Sequence, residues 1–140
     1  MKRLWMIVLA GIAIEFSQDF FTPVLQAIPQ APAGWTRVSE TALDPIPDDW
    51  PETPHAVKAW RATYSGTSEV TLTLYAMPWS PGNAWDAIQR WRQVPGAIAF
   101  AKGRYFGVAV SPGADEATLK RFVQGVTASL PRGAETIRIR

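Results

Sequence analysis

The sequence predicts an α+β domain: a two-layer sandwich with an antiparallel sheet of four to five strands and two helices on one face. Three observations predict it. Residues 70–77 alternate between an apolar face and a mixed one with a period of two, the mark of a half-buried strand. Two amphipathic helix patterns each follow a pair of short strand-like runs. The resulting order is a strand followed by two strand–strand–helix units, the plan of an antiparallel sheet covered by helices.

Composition sets the scale. The chain has 140 residues, of which 47% are hydrophobic and 19% charged, ordinary values for a globular protein of one domain. The formal charge is only +2, and Lys and Arg are interleaved with Asp and Glu. A nucleic-acid binder clusters its cations to displace counterions, so this pattern argues against nucleic acid as a partner. There is no cysteine, which excludes disulfides, thiolate metal sites and a cysteine nucleophile.

The N-terminus reads as a targeting segment. Met1-Lys2-Arg3 is a short basic stretch, and Leu4 to Ile14 is an unbroken run of apolar residues and Gly, ended by Glu15. A helix of about 11 residues rises about 16 Å, half a hydrocarbon core, so this run does not span a bilayer alone. Residues 1–33 are expected to be an export signal, or an N-terminal membrane anchor, plus a linker. Membrane attachment would run through residues 4–28, and residues 34–140 form a single α+β domain. Ala31-Pro32-Ala33 has the small-x-small form of a cleavage site and would free Gly34; Gly11-Ile12-Ala13 is the other candidate. A core helix of a cytosolic protein is the third reading of the run.

Within the domain, Trp35–Ser39 is a short strand. Residues 40–56 carry Pro45, Pro47, Pro51 and Pro54, which forbid helix and central strand and make a long semi-rigid loop. Val57–Ser65 and Glu69–Met77 flank the turn Ser65-Gly66-Thr67-Ser68, where Gly66 would supply a positive φ. Val70, Leu72, Leu74 and Ala76 share one face of the second run; Thr71, Thr73, Tyr75 and Met77 share the other. Ser80 caps a helix with Pro81 at its first position, and Ala84, Ile88 and Trp91 form its stripe, with Trp85 beside it. Ala97–Ala101 and Tyr105–Val110 join through Lys102-Gly103 as a second hairpin. Asp115 caps the last helix, whose stripe is Leu119, Phe122, Val123, Val126 and Leu130. The alternating tail Ile137–Arg140 is an edge strand or frays.

Gly34-Trp35 after an export signal, the Tyr64…Gly66 hairpin, the strand Val70-Thr71-Leu72-Thr73-Leu74-Tyr75, the helix ending Trp91-Arg92 and the closing amphipathic helix together carry a resemblance. Over residues 34–131 the chain resembles small exported bacterial α+β domains of unknown function. That resemblance implies a fold and a compartment, periplasmic or secreted with an inner-membrane-anchored form as the alternative. It carries no catalytic residues.

The residues that bear chemistry are sparse. His55 is the only histidine, so no histidine-based metal cluster exists, and the acidic run Asp44, Asp48, Asp49, Glu52 lacks calcium-loop spacing. No phosphate-cradling glycine loop is present, and no cofactor is expected. Seven tryptophans are unusual for this length. Trp85 and Trp91 read as core. Trp60, Tyr64, Tyr75, Met77 and Tyr105 read as a candidate interface on the sheet face away from the helices, because aromatic residues on a face without a partner mark contacts. The proline loop with Trp50 and His55 is the secondary candidate. The expected function is non-catalytic binding of an unknown protein or small ligand in the cell envelope. A small envelope hydrolase with an unrecognised site, and an assembly component pairing through its sheet, are the rival readings.

Overall fold

The computed structural model describes residues 24–25, 28–49, 55–78 and 83–139. Its elements are β1 (Thr36–Ala42), β2 (Lys58–Ser65), β3 (Glu69–Ala76), α1 (Asn83–Arg90), β4 (Ala97–Lys102), β5 (Tyr105–Val110), α2 (Glu116–Ser129) and β6 (Glu135–Arg138). All strands join one antiparallel sheet in the order β1-β2-β3-β5-β4-β6. The α+β class holds. The sheet has six strands rather than four to five, because the tail forms β6 against β4, pairing Phe100 with Ile137.

The helices do not share a face. Val70, Leu72, Leu74 and Ala76 pack with Leu119, Phe122, Val123 and Val126 of α2. Tyr75 and Met77, on the opposite face of the same segment, pack with Ala84, Ala87 and Ile88 of α1 and with Trp91. The domain therefore has three layers. Chain topology explains the split. The β3-α1-β4 and β5-α2-β6 crossovers each skip one strand and move the same way across the sheet, but they leave from strands pointing in opposite directions. Right-handed crossovers of that kind must lie on opposite faces. Ala97, Ala99 and Ala101 of β4 give α1 a shallow bed. On the other face Phe100 lies over Gly107, where a Cβ would sit 2.2 Å from its ring.

Local signals behave as their chemistry dictates, with exceptions that packing explains. Asp115 accepts from Thr118 N at 2.7 Å and caps α2. Arg138 Nη1 donates to Ile88 O and Gln89 O at 2.8 Å, closing the C-terminal end of α1. Gly103 has φ 58° and makes the β4–β5 turn. Gly66 has no positive φ; it is glycine because a Cβ there would lie 2.6 Å from the Trp35 ring. Trp91 is buried as expected, but Trp85 is 52% exposed on the outer side of α1. The predicted cap at Ser80-Pro81 lies outside the described residues.

Residues ahead of β1 also belong to the fold. Val24, Leu25, Ile28, Ala31 and Trp35 pack on the α2-side core, and the Trp35 ring meets Phe122 edge-on at 5.1 Å. Val24, Leu25 and residues 28–35 thus form a strap across that face.

Candidate functional site: the uncovered part of the sheet

The five aromatic and sulfur side chains expected to form an interface are all buried, and they divide between the faces. Trp60, Tyr64 and Tyr105 lie on the α2 side, beneath the strap. Tyr75 and Met77 lie on the α1 side. Register is the reason: Trp60 pairs with Leu74 and Tyr64 with Val70, so both share the Val70 face and not the Tyr75 face. They form core, and the expected aromatic surface is corrected on both counts. Tyr64 shows how deeply: its ring meets Phe122 at 5.0 Å, and its hydroxyl donates to Pro29 O at 3.3 Å. Burial pushes its pKa up to about 12, with Arg37 partly opposing the shift. Of the secondary candidates, His55 is exposed shortly before β2, and Trp50 lies outside the described residues.

Beyond these cores the sheet keeps an open stretch lined by polar side chains. On the α1 side, the helix packs against β4, β5 and β6. The β1–β2–β3 part of that face carries two cross-strand rows. One is Thr41, Arg61 and Thr73; the other is Ser39, Thr63 and Thr71. Ser39 and Thr41 are exposed, Arg61, Thr63 and Thr71 are half-buried, and Thr73 is buried. Alternation makes the β2 and β3 part of this face polar because those two strands give their other side to the core.

The proline-rich loop after β1 completes the site. Leu43 N donates to Ala59 O at 2.9 Å, and Leu43 and Ile46 pack on the Tyr75–Met77 cluster. This anchoring delivers Asp49 to the sheet. Asp49 Oδ2 accepts from Arg61 Nη2 at 3.1 Å and from the Tyr75 hydroxyl at 3.0 Å. Arg61 Nε donates to Thr73 Oγ1 at 3.1 Å. The Tyr75 ring stacks on Phe106 at 5.9 Å, so its apolar body is core while its hydroxyl reaches the site. Arg61 and Asp49 are 42% and 43% exposed, so their pair contributes little stability. Its effect is positional: it holds the Arg61 guanidinium and the Asp49 carboxylate in fixed places together with the Thr73 and Tyr75 hydroxyls. Such a surface can exchange hydrogen bonds with a polar ligand or a polypeptide.

Other features carry less chemistry. A shallow cavity beside β4, lined by Gln93, Val94, Glu116, Leu119 and Ile139 among others, has a single carboxylate. Among the described residues no three metal-ligating side chains cluster, and no helix is long and apolar enough to cross a membrane. Sequence reasoning missed Arg61 and Asp49 as a pair. The alternation of β2 and β3 was readable, but neither the register that puts Arg61 beside Thr73 nor the return of the loop to the sheet was. No protein-family model, curated protein or solved structure significantly matches this chain.

Proposed function

We propose that the chain is an exported binding domain that engages a partner or ligand in the cell envelope or outside the cell through the Ser39–Thr41–Arg61–Thr63–Thr71 face. One observation carries the reading. The aromatic residues of the sheet are consumed by two cores, while the β1–β2–β3 face holds Arg61, Asp49 and Thr73 in a hydrogen-bonded array that stays half open to water. An ion pair of that exposure adds little to folding, so its ordered geometry is better accounted for by recognition. The basic n-region and the apolar run Leu4–Ile14 support export, and so does the resemblance to small exported bacterial domains.

The test is a screen of the folded protein against envelope-derived glycans and short peptides, read by amide chemical shifts. Shifts should map to Ser39, Arg61, Thr63 and Thr71, and Arg61→Ala with Thr63→Val should abolish them while leaving the fold intact. Ligands that bind the double variant as tightly as the parent would end this assignment. Export is tested separately, with residues 1–40 fused to a reporter active only outside the cytoplasm. Leu9→Asp with Ile12→Asp should silence it, because charge in the apolar run opposes insertion.

A further inference from the structure

We propose that Val24, Leu25 and residues 28–33 are a permanent part of the folded domain, so that the working chain keeps them and is not processed after Ala33. The contacts that hold the strap are made to its main chain by side chains of the domain. Leu25 N donates to the Tyr105 hydroxyl at 3.1 Å, and Ile28 N donates to Glu40 Oε1 at 3.1 Å. Arg37 Nη1 donates to Ile28 O at 3.2 Å, and the Tyr64 hydroxyl donates to Pro29 O at 3.3 Å. Arg37 and Glu40 also pair with each other at 3.5 Å, so the two ends of this clamp are mutually fixed. Ile28 is only 3% exposed, a core residue by any measure. Trp35 N donates to Pro32 O at 3.0 Å, and Pro32 sits directly over Gly125 of α2.

A cut after Ala33 would remove Val24, Leu25, Ile28 and Ala31 from the α2-side core. It would also take away the acceptor of the buried Tyr64 hydroxyl and open an aromatic face to water, a combination that both destabilises and invites association. Ala31-Pro32-Ala33 is therefore a structural joint and not a cleavage site. Any leader processing falls before Val24, or the apolar segment is kept as an anchor. In the anchored form, residues 15–23 can span at most about 30 Å. The domain is then held close to the bilayer by a tether entering on the α2 side of the sheet. The Ser39–Arg61–Thr63 face lies on the other side of the sheet from Val24. This inference stands on the strap alone and does not depend on what the polar face binds.

The experiment uses the full-length gene with a C-terminal tag, expressed in a bacterial host. The protein is recovered from both membrane and soluble fractions and its N-terminus is assigned by intact mass. A first residue at or before Val24 is the expected result. A protein beginning after Val24, above all at Gly34, overturns the proposal. In parallel, limited proteolysis compares the parent with Ile28→Asp. Cleavage between residues 24 and 34 should be about tenfold faster or more in the variant, since the buried anchor of the strap is lost. Equal rates would show that the strap is not part of the fold.

Discussion

Gly125→Ala has an outcome whose sign depends on the strap. Gly125 lies within α2, where alanine ordinarily stabilises a helix by about 1 kcal/mol over glycine. Here the added Cβ would lie 2.6 Å from Pro32 Cβ and 3.0 Å from Pro32 Cγ. Carbon atoms pack at about 3.5–4.0 Å, so Pro32 must retreat by about 1 Å. The strap resists, because Ile28, Pro29 and Pro32 are all tied to the domain through their main-chain atoms. Overpacking of this kind costs about 1–3 kcal/mol, which cancels or exceeds the helix gain. The expected net effect runs from neutral to a loss of about 2 kcal/mol. In an Ile28→Asp background, where the strap is unseated, the same change should stabilise by about 1 kcal/mol. Urea unfolding of the four full-length proteins closes the double-mutant cycle, with a coupling of about 1–3 kcal/mol. A stabilising Gly125→Ala of equal size in both backgrounds would refute the packing of Pro32 on α2.

Phe122→Ala and Leu72→Ala should each lose about 2–5 kcal/mol, because both are fully buried in the α2-side core; an unchanged melting temperature would contradict that packing. Arg61→Ala should change stability by less than about 1 kcal/mol, since its pair with Asp49 is half exposed, and a loss as large as that of Phe122→Ala would make the polar array structural. The Tyr64 pKa, raised to about 12 from 10.0, means the folded protein holds this proton more tightly than the unfolded chain; the resulting stability is complete below pH 10 and is lost between pH 10 and 12. Tyr64→Phe should flatten the fall of stability in that window, and denaturant titrations at pH 9, 10 and 11 with slopes identical to the parent would show that burial does not perturb the phenol.

Some of this was written locally. The alternation of residues 70–77 gave β3 and its two faces, and Asp115 announced the start of α2 before any contact was known. The apolar stripe Leu119, Phe122, Val123 and Val126 correctly named the residues that meet the sheet. The candidate interface failed at a register. A four-residue turn at 65–68 would bring Tyr64 opposite Glu69 and turn Trp60 and Tyr64 to the Tyr75 side. The actual pairing, Ser65 with Glu69, leaves a three-residue connection and reverses both. Because strand periodicity is two, one residue of slip moves every side chain to the other face.

What the sequence by itself determined is therefore the kind and order of elements, the α+β class and the apolar stripes of β3 and α2, all consequences of near-neighbour spacing and capping chemistry. Only the tertiary structure decided that the helices lie on opposite sides of the sheet, since crossover handedness acts on strands already ordered in space. Only it showed that Val24, Leu25, Ile28 and Ala31 pack into the core, held there by hydrogen bonds such as Leu25 to Tyr105 that join residues 80 apart in sequence. The meeting of Asp49, Arg61 and Tyr75 has the same origin. A loop tells which residues it carries, but where it closes depends on the apolar contacts of Leu43 and Ile46 with a core assembled from distant strands.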